Sequence, residues 1–255
     1  MERRVNAQKL CRGALYNEVF RKSFVQLDEN IYLISATSNQ ILKYNVKNDY
    51  VVSTPILEVE TRISCIALLD EEKHIFIMLD NKNRVIMWNE NTNEVSTVKE
   101  ISNEYTPHII DDIGRQIMDY SYIVCRSNYV YFIPNIANAI LRYDLITGDI
   151  KSVYDCLLYG YDMKQYIELN SKFELGQFSE PFIWEDRLYM CNIWTNEMII
   201  IDLNTEKAVK KKMTFEINHF EEREIIDQIM KNEGYLREEH YPYLKLASYI
   251  DYIQN

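Results

Sequence analysis

YVYFIPNIANAILRYDLITGDIK, running from Tyr129 to Lys151, decides the architecture, because three other stretches of the chain align with it without a gap. They are NIYLISATSNQILKYNVKNDYVV (Asn30 to Val52), HIFIMLDNKNRVIMWNENTNEVS (His74 to Ser96) and RLYMCNIWTNEMIIIDLNTEKAV (Arg187 to Val209). Their starts stand 44, 55 and 58 residues apart. An apolar–aromatic pair recurs first, as Ile31-Tyr32, Ile75-Phe76, Val130-Tyr131 and Leu188-Tyr189. Asn39, Asn83, Asn138 and Asn196 follow, then an apolar run ending in Tyr44, Trp88, Tyr143 or Ile201. Asn45, Asn89, Asp144 or Asp202 comes next. Four columns in register across four segments mark an internal repeat.

Each column has a physical task. The runs are short and rich in Ile, Val, Tyr and Phe, which favours strands over helices. The asparagines at 39, 83, 138 and 196 separate two such runs, where a tight hairpin calls for a residue that tolerates φ > 0. Asparagine standing in for glycine there accounts for a strand-rich chain with six glycines. Asn45, Asn89, Asp144 and Asp202 open a second turn, where a short polar side chain bonds the backbone two residues on. Thr92, Thr147 and Thr205 fasten the same loop, and Lys47-Asn48-Asp49 breaks that pattern in the first unit.

A further apolar run precedes each unit: Phe24 to Leu27, Ile63 to Leu69, Tyr122 to Cys125, and Pro181 to Trp184. A fourth follows the second turn, as in Tyr50-Val51-Val52 and Ile150 to Val153. Four antiparallel strands per unit at a period of roughly 45–50 residues is the pattern of propeller blades, each relying on its neighbours to bury its faces.

The units resemble the blades of bacterial β-propeller repeat proteins of the kelch, WD-repeat and quinoprotein-like kinds. YDLITGDI (Tyr143 to Ile150) is similar to the blade-turn motif of that broad group. The kelch Gly-Gly pair is missing after Tyr32, Tyr131 and Tyr189, and so is the WD dipeptide, so no specific family and no catalytic residue follows from the resemblance. The expectation is an all-β fold: a small β-propeller of four four-stranded blades with a short C-terminal α-helical tail. A fifth blade using Ala14 to Phe20, or an open arc closed by a second chain, is the alternative. Residues 1–23 form an N-terminal segment, 24–215 the blades and 216–255 the tail. In the tail Ile225, Ile226, Ile229 and Met230 share one helical face and Leu246, Tyr249, Ile250 and Ile253 another, which fits packing on the propeller or docking a partner.

Of 255 residues, 47% are apolar and 26% charged, a globular balance that excludes disordered, collagenous and coiled-coil chains. The 28 basic residues against 39 acidic ones leave a net charge of −11, so no basic field gathers nucleic acid or anionic membrane. The N-terminus lacks the apolar core of a signal peptide, and no apolar stretch is long enough for a membrane span. Cys11, Cys65, Cys125, Cys156 and Cys191 are odd in number and form no CxxC pair, which points to a reducing compartment, a cytoplasm. No metal and no cofactor is expected.

Thr97 to Tyr120 and Tyr154 to Phe178 exceed an ordinary blade-to-blade turn, and long connections on a rigid scaffold are where binding surfaces are built. The second concentrates Tyr154, Tyr159, Tyr161 and Tyr166, aromatic groups suited to protein partners or sugars, together with Asp162. His108 stands near Asp111 and Asp112, the one place where acid–base or metal chemistry would assemble. His219 and His240 lack the helical spacing of a zinc pair, and GxSxG, P-loop and GxGxxG motifs are absent. The favoured reading is a non-catalytic module, monomer or homodimer, binding a protein partner through aromatic insertions and the tail. The alternative is a propeller that binds or acts on carbohydrate through His108, Asp111 and Asp112.

Overall fold

The computed structural model describes residues 3–6, 20–35, 39–55, 61–105, 118–156, 177–192 and 197–213. The chain divides into two compact units, Met1–Lys212 and Met213–Asn255. The two tail helices expected from the sequence lie outside the described residues, as does the Ala14 to Val19 part of the proposed fifth blade.

Among its described residues the first unit is all-β. Its first sheet holds β1 (Arg3–Asn6), β2 (Phe20–Leu27), β3 (Asn30–Ser35), β4 (Gln40–Asn45) and β5 (Tyr50–Pro55). The second holds β6 (Ile63–Asp70), β7 (Ile75–Asp80), β8 (Arg84–Asn89) and β9 (Glu94–Glu100). The third is β10 (Tyr120–Arg126), β11 (Tyr129–Pro134), β12 (Ala139–Asp144) and β13 (Ile150–Asp155). The fourth is β14 (Phe182–Trp184), β15 (Arg187–Asn192), β16 (Glu197–Asp202) and β17 (Ala208–Lys212). Each is an antiparallel meander of four consecutive strands, and β1 adds a fifth strand to the first sheet beside β5. Every strand expected from the apolar runs is present.

The turns show why. Asn48 N donates to Asn45 Oδ1 at 2.8 Å, Thr92 N to Asn89 Oδ1 at 3.1 Å, Thr147 N to Asp144 Oδ1 at 3.2 Å, and Thr205 N to Asp202 Oδ1 at 2.8 Å. The fourth residue after each of these takes positive φ: Asp49 at 48°, Asn93 at 56°, Gly148 at 76° and Glu206 at 58°. One turn is thus built four times, with the left-handed residue where the chain must reverse. The asparagines of the inner hairpins behave otherwise. Asn83 has φ of 59°, as expected, but Asn39 and Asn138 do not enter the left-handed region, and Asn196 lies outside the described residues.

The register supplies the reason. Asn30 faces Asn45, Tyr129 faces Asp144 and Arg187 faces Asp202, but in the second sheet Ile75, not His74, faces Asn89. The β7–β8 hairpin is one residue shorter than the other three. Asp80 closes it, its Oδ1 accepting from Lys82 N and Arg84 N at 2.9 and 2.8 Å, and among the described inner-hairpin asparagines the one in this tighter loop is αL. Side chains alternate along a strand, so the missing residue reverses the parity of β7 relative to the sequence alignment. Phe76 is therefore not the structural counterpart of Tyr32, Tyr131 and Tyr189. Ile77 is.

With that correction all four sheets stack in one sense. Tyr32, Ile34 and Ile41 on the forward face of the first sheet meet Phe76, Met78, Ile86 and Trp88 on the backward face of the second. Ile77, Leu79 and Val85 meet Val130, Phe132, Leu141 and Tyr143 of the third. Tyr131, Ile133 and Ile140 meet Leu188, Met190, Ile199 and Ile201 of the fourth. The first strands lie innermost: β2 packs on β6, β6 on β10, and β2 touches β10. Burial of each of these large side chains stabilises by about 1.5–3 kcal/mol, so the three junctions carry most of the stability of the unit.

Charged groups lock two of the junctions. Lys43 on β4 reaches Glu90 of the β8–β9 turn at 2.5 Å, Tyr32 donates its hydroxyl to the same carboxylate at 2.6 Å, and His74 Nδ1 lies 3.1 Å away. Arg142, opposite Tyr131 as Lys43 is opposite Tyr32, pairs with Glu206 of the β16–β17 turn, which also holds Lys151 at 2.5 Å. Met87 occupies that position between the second and third sheets.

Candidate functional site

An up-and-down meander puts its connections at two ends. The turns after the first and third strands of each sheet are tight and lie at one end. The inner hairpins and the sheet-to-sheet connections share the other. At this loop end the two long connections, residues 101–119 and 156–181, leave and return. Most of the buried polar side chains cluster there too, including Thr61, Asp80, Asn83, Asp119, Gln177 and Asn192.

The short β11–β12 hairpin, Asn135-Ile136-Ala137-Asn138, grips both connections at both ends. Asn138 N donates to Tyr105 O at 3.2 Å, where the first connection departs. Where it returns, Asn135 Nδ2 donates to Met118 O at 2.8 Å, and the Asp119 carbonyl accepts from Asn135, Ile136 and Ala137 N at 2.8, 3.1 and 3.0 Å. The second connection departs at Cys156, whose N donates to Asn138 O at 2.7 Å, and returns at Gln177, whose N donates to Asn135 O at 3.1 Å. Asn83 adds a brace from the neighbouring hairpin, donating from Nδ2 to Asp119 Oδ2 at 2.8 Å, while its carbonyl accepts from Ile101 N at 2.9 Å. Buried backbone groups of this kind are seldom left unpaired, and here they fasten loops instead of extending strands. The consequence is geometric: Tyr105, Met118, Asp119, Cys156 and Gln177, at the described ends of the two connections, are all held by one four-residue anchor.

Of the site residues expected from sequence, Tyr154 is described. It stands on β13 opposite Ile140 and packs at the junction of the third and fourth sheets, with the Lys210 ammonium 5.6 Å from its ring centre. A hydrogen bond from the ammonium to Tyr154 and the attraction of the phenol raise the Lys210 pKa. Tyr159, Tyr161, Asp162, Tyr166, His108, Asp111 and Asp112 lie outside the described residues.

Sequence reasoning missed Asn135, Asp119 and Gln177. Their signal was weak: a polar residue immediately flanking an apolar run on the insertion side. Among the described residues no group of three or more His, Cys, Asp or Glu side chains is placed to hold a metal ion, and no helix is long and apolar enough to cross a membrane.

No family model matches the chain, and no curated protein matches it. Solved structures superpose on part of it. The extracellular domain of a one component system from B. thetaiotaomicron superposes with a TM-score of 0.49 at 12% identity, over 80% of this chain and 23% of that one. The Neurospora crassa Pan2 WD40 domain gives 0.47 at 12% identity, over 74% of this chain and 50% of that one. The computationally designed Ika8 protein gives 0.44 at 9% identity over 75% of this chain. The chain spans about half or less of the length of these three.

Proposed function

We propose that the four sheets are consecutive blades of a β-propeller, and that the chain is a non-catalytic recognition module whose paired insertions bind a protein partner. The observation that carries this reading is the shared anchor. The two connections are 37 residues apart in the sequence at their nearest described ends, Asp119 and Cys156, and the Asn135–Asn138 hairpin is hydrogen-bonded to the described ends of both. A rigid scaffold presenting two adjacent loops is the usual way a repeat fold builds a composite binding surface. One loop brings tyrosines and the other a His-Asp-Asp group, so the surface is aromatic and acidic. Tyrosine gives large contact area at low entropic cost, and the acidity suits a partner segment carrying Arg or Lys.

The test is the double substitution Tyr159→Ala, Tyr161→Ala in the full chain, used as bait against a lysate of the source cells, with the captured protein identified from wild type. The double variant loses that partner, its melting temperature stays within a few degrees of wild type, and wild-type capture weakens as salt is raised. A variant that keeps the partner at wild-type affinity refutes the reading. Retention of a glycan on an array by wild type, with loss on His108→Ala, would replace it with the carbohydrate alternative.

A further inference from the structure

The two faces of the fourth sheet differ sharply. Leu188, Met190, Ile199 and Ile201 point backward and are buried at the junction with the third sheet. Side chains alternate along a strand, so the residues between them point forward. The register sets these in rows. Phe182 faces Tyr189, Tyr189 faces Ile200 and Ile200 faces Val209, an apolar row that crosses all four strands. On the turn side of that row stand Trp184, Arg187 and Asp202, with Arg187 directly opposite Asp202. On the loop side Cys191 faces Met198, and Met198 faces Lys211.

None of these forward side chains is buried. Phe182 is 55%, Trp184 63% and Val209 52% exposed, and Phe182 stacks on Tyr189 with ring centres 5.2 Å apart. Tyr32 and Tyr131, the counterparts of Tyr189 in the first and third sheets, are fully buried beneath the sheet that follows each. Among the described residues no hydrophobic cluster takes in the forward face of the fourth sheet.

We propose that this face is a dimer interface, packed on the same face of a second copy about a two-fold axis that lies between the two sheets, runs along the strands and passes between β15 and β16. Such a rotation exchanges β15 with β16 and β14 with β17 and keeps every row at its own level. Arg187 then meets the partner's Asp202, and Asp202 meets the partner's Arg187, so the charges complement each other twice. In the apolar row Phe182 meets the partner's Val209 and Tyr189 the partner's Ile200, a large group against a smaller one at each step. Aromatic rings bury about 150–250 Å² each when fully covered, so two rings more than half exposed and their aliphatic neighbours offer on the order of 500 Å² per copy. Two copies bury about 1,000 Å², the lower bound of a specific interface, which corresponds to micromolar association.

The competing arrangement, pairing of two outer edges, is opposed by charge. Lys207, Lys210, Lys211 and Lys212 stand along and just before β17, and lysines on an edge strand keep a second strand away. A face-to-face two-fold contact satisfies the apolar row in both copies and leaves no growing end.

The experiment is light scattering on the full chain after size exclusion, at about 1 µM and about 100 µM loading, a range that brackets a micromolar dissociation constant. Wild type reaches twice the 30.5 kDa chain mass at the higher loading. Trp184→Asp stays at the single-chain mass there, with an unchanged far-UV circular dichroism spectrum because the side chain is exposed in the single chain. Arg187→Glu sets a carboxylate against the partner's Asp202 and weakens association at least about tenfold, and it serves alone if Trp184→Asp does not fold. Oxidative cross-linking reads the axis. Phe182→Cys mixed with Val209→Cys gives a covalent dimer on a non-reducing gel, and neither variant alone exceeds the wild-type background. A wild type that stays at the single-chain mass at the higher loading overturns the proposal, and so does either charged variant that associates with wild-type strength. Cross-linking of Phe182→Cys to itself, with none in the mixture, overturns the stated axis. Trp184→Asp leaves partner capture by the insertions untouched, so this inference and the proposed function fail separately.

Discussion

Replacing Phe76 with alanine probes the corrected register of the second sheet most directly. The ring is fully buried and sits in an aromatic trio, 4.6 Å from the centre of Tyr32 and 5.0 Å from that of Trp88. Truncating a buried phenylalanine costs about 3–5 kcal/mol, the spread reflecting how far the surroundings collapse into the cavity. Collapse here is hindered on both sides. Tyr32 is tied through its hydroxyl to Glu90 at 2.6 Å, and Trp88 donates from Nε1 to Asn93 at 3.3 Å. The loss therefore falls in the upper half of the range, about 4 kcal/mol, a large share of the 5–15 kcal/mol typical of a whole protein. Equilibrium urea unfolding, followed by tryptophan fluorescence and circular dichroism, measures it. Ile146→Ala, at a side chain 75% exposed in the β12–β13 turn, is the control and stays within about 0.5 kcal/mol of wild type. A Phe76→Ala loss below about 1 kcal/mol would place the ring outside the first junction and refute the packing derived for it.

Two more predictions concern the turns and the charged lock. Gly148→Ala puts a Cβ on a residue at φ of 76° with nothing within 4 Å to clash, so the cost is backbone strain alone, about 1 kcal/mol in the same unfolding assay. Burial pushes the Glu90 carboxyl up, but the donors Lys43, Tyr32 and His74 outweigh it and hold the carboxyl below its ordinary 4.5. Its contribution is then complete above pH 4.5 and is lost as pH falls through the lower folded value. Glu90→Gln unfolds about 2 kcal/mol more easily at pH 7, from the loss of charge-assisted bonds, and its stability falls less steeply than wild type below pH 4.5. Parallel pH profiles for the two proteins would refute the lock.

The sequence made the strands legible because each is a short apolar run, and it made the outer turns legible because Asn45, Asn89, Asp144 and Asp202 each stand as the last residue of a strand, directly after its apolar run. The positive-φ residue four places later escaped notice, since Asp49, Asn93, Gly148 and Glu206 share no chemistry, only a backbone angle. The missing residue of the β7–β8 hairpin was invisible for a related reason: apolar side chains fill both faces of β7, so either parity reads as a buried strand. Lys43 and Glu90 are 47 positions apart and Arg142 and Glu206 are 64 apart, and pairs at such distances leave no local pattern. Of the candidate site, sequence located the two insertions. What it lacked was the hairpin that ties the described ends of both, because apart from the Asn135 side-chain bond to Met118 O it acts through backbone groups that every residue possesses.

The shortened hairpin also bears on anyone who would stabilise this chain by consensus, copying the commonest letter at each aligned column from three units into the fourth. In β7 the copied letters would land on the wrong side of the strand. A Tyr written over Phe76 would bring a hydroxyl into the aromatic trio, and a polar residue taken from an outward position elsewhere would be driven into a dry seam. Transfers made by hydrogen-bond partner instead, with Ile77 answering to Tyr32, keep each letter on its own side.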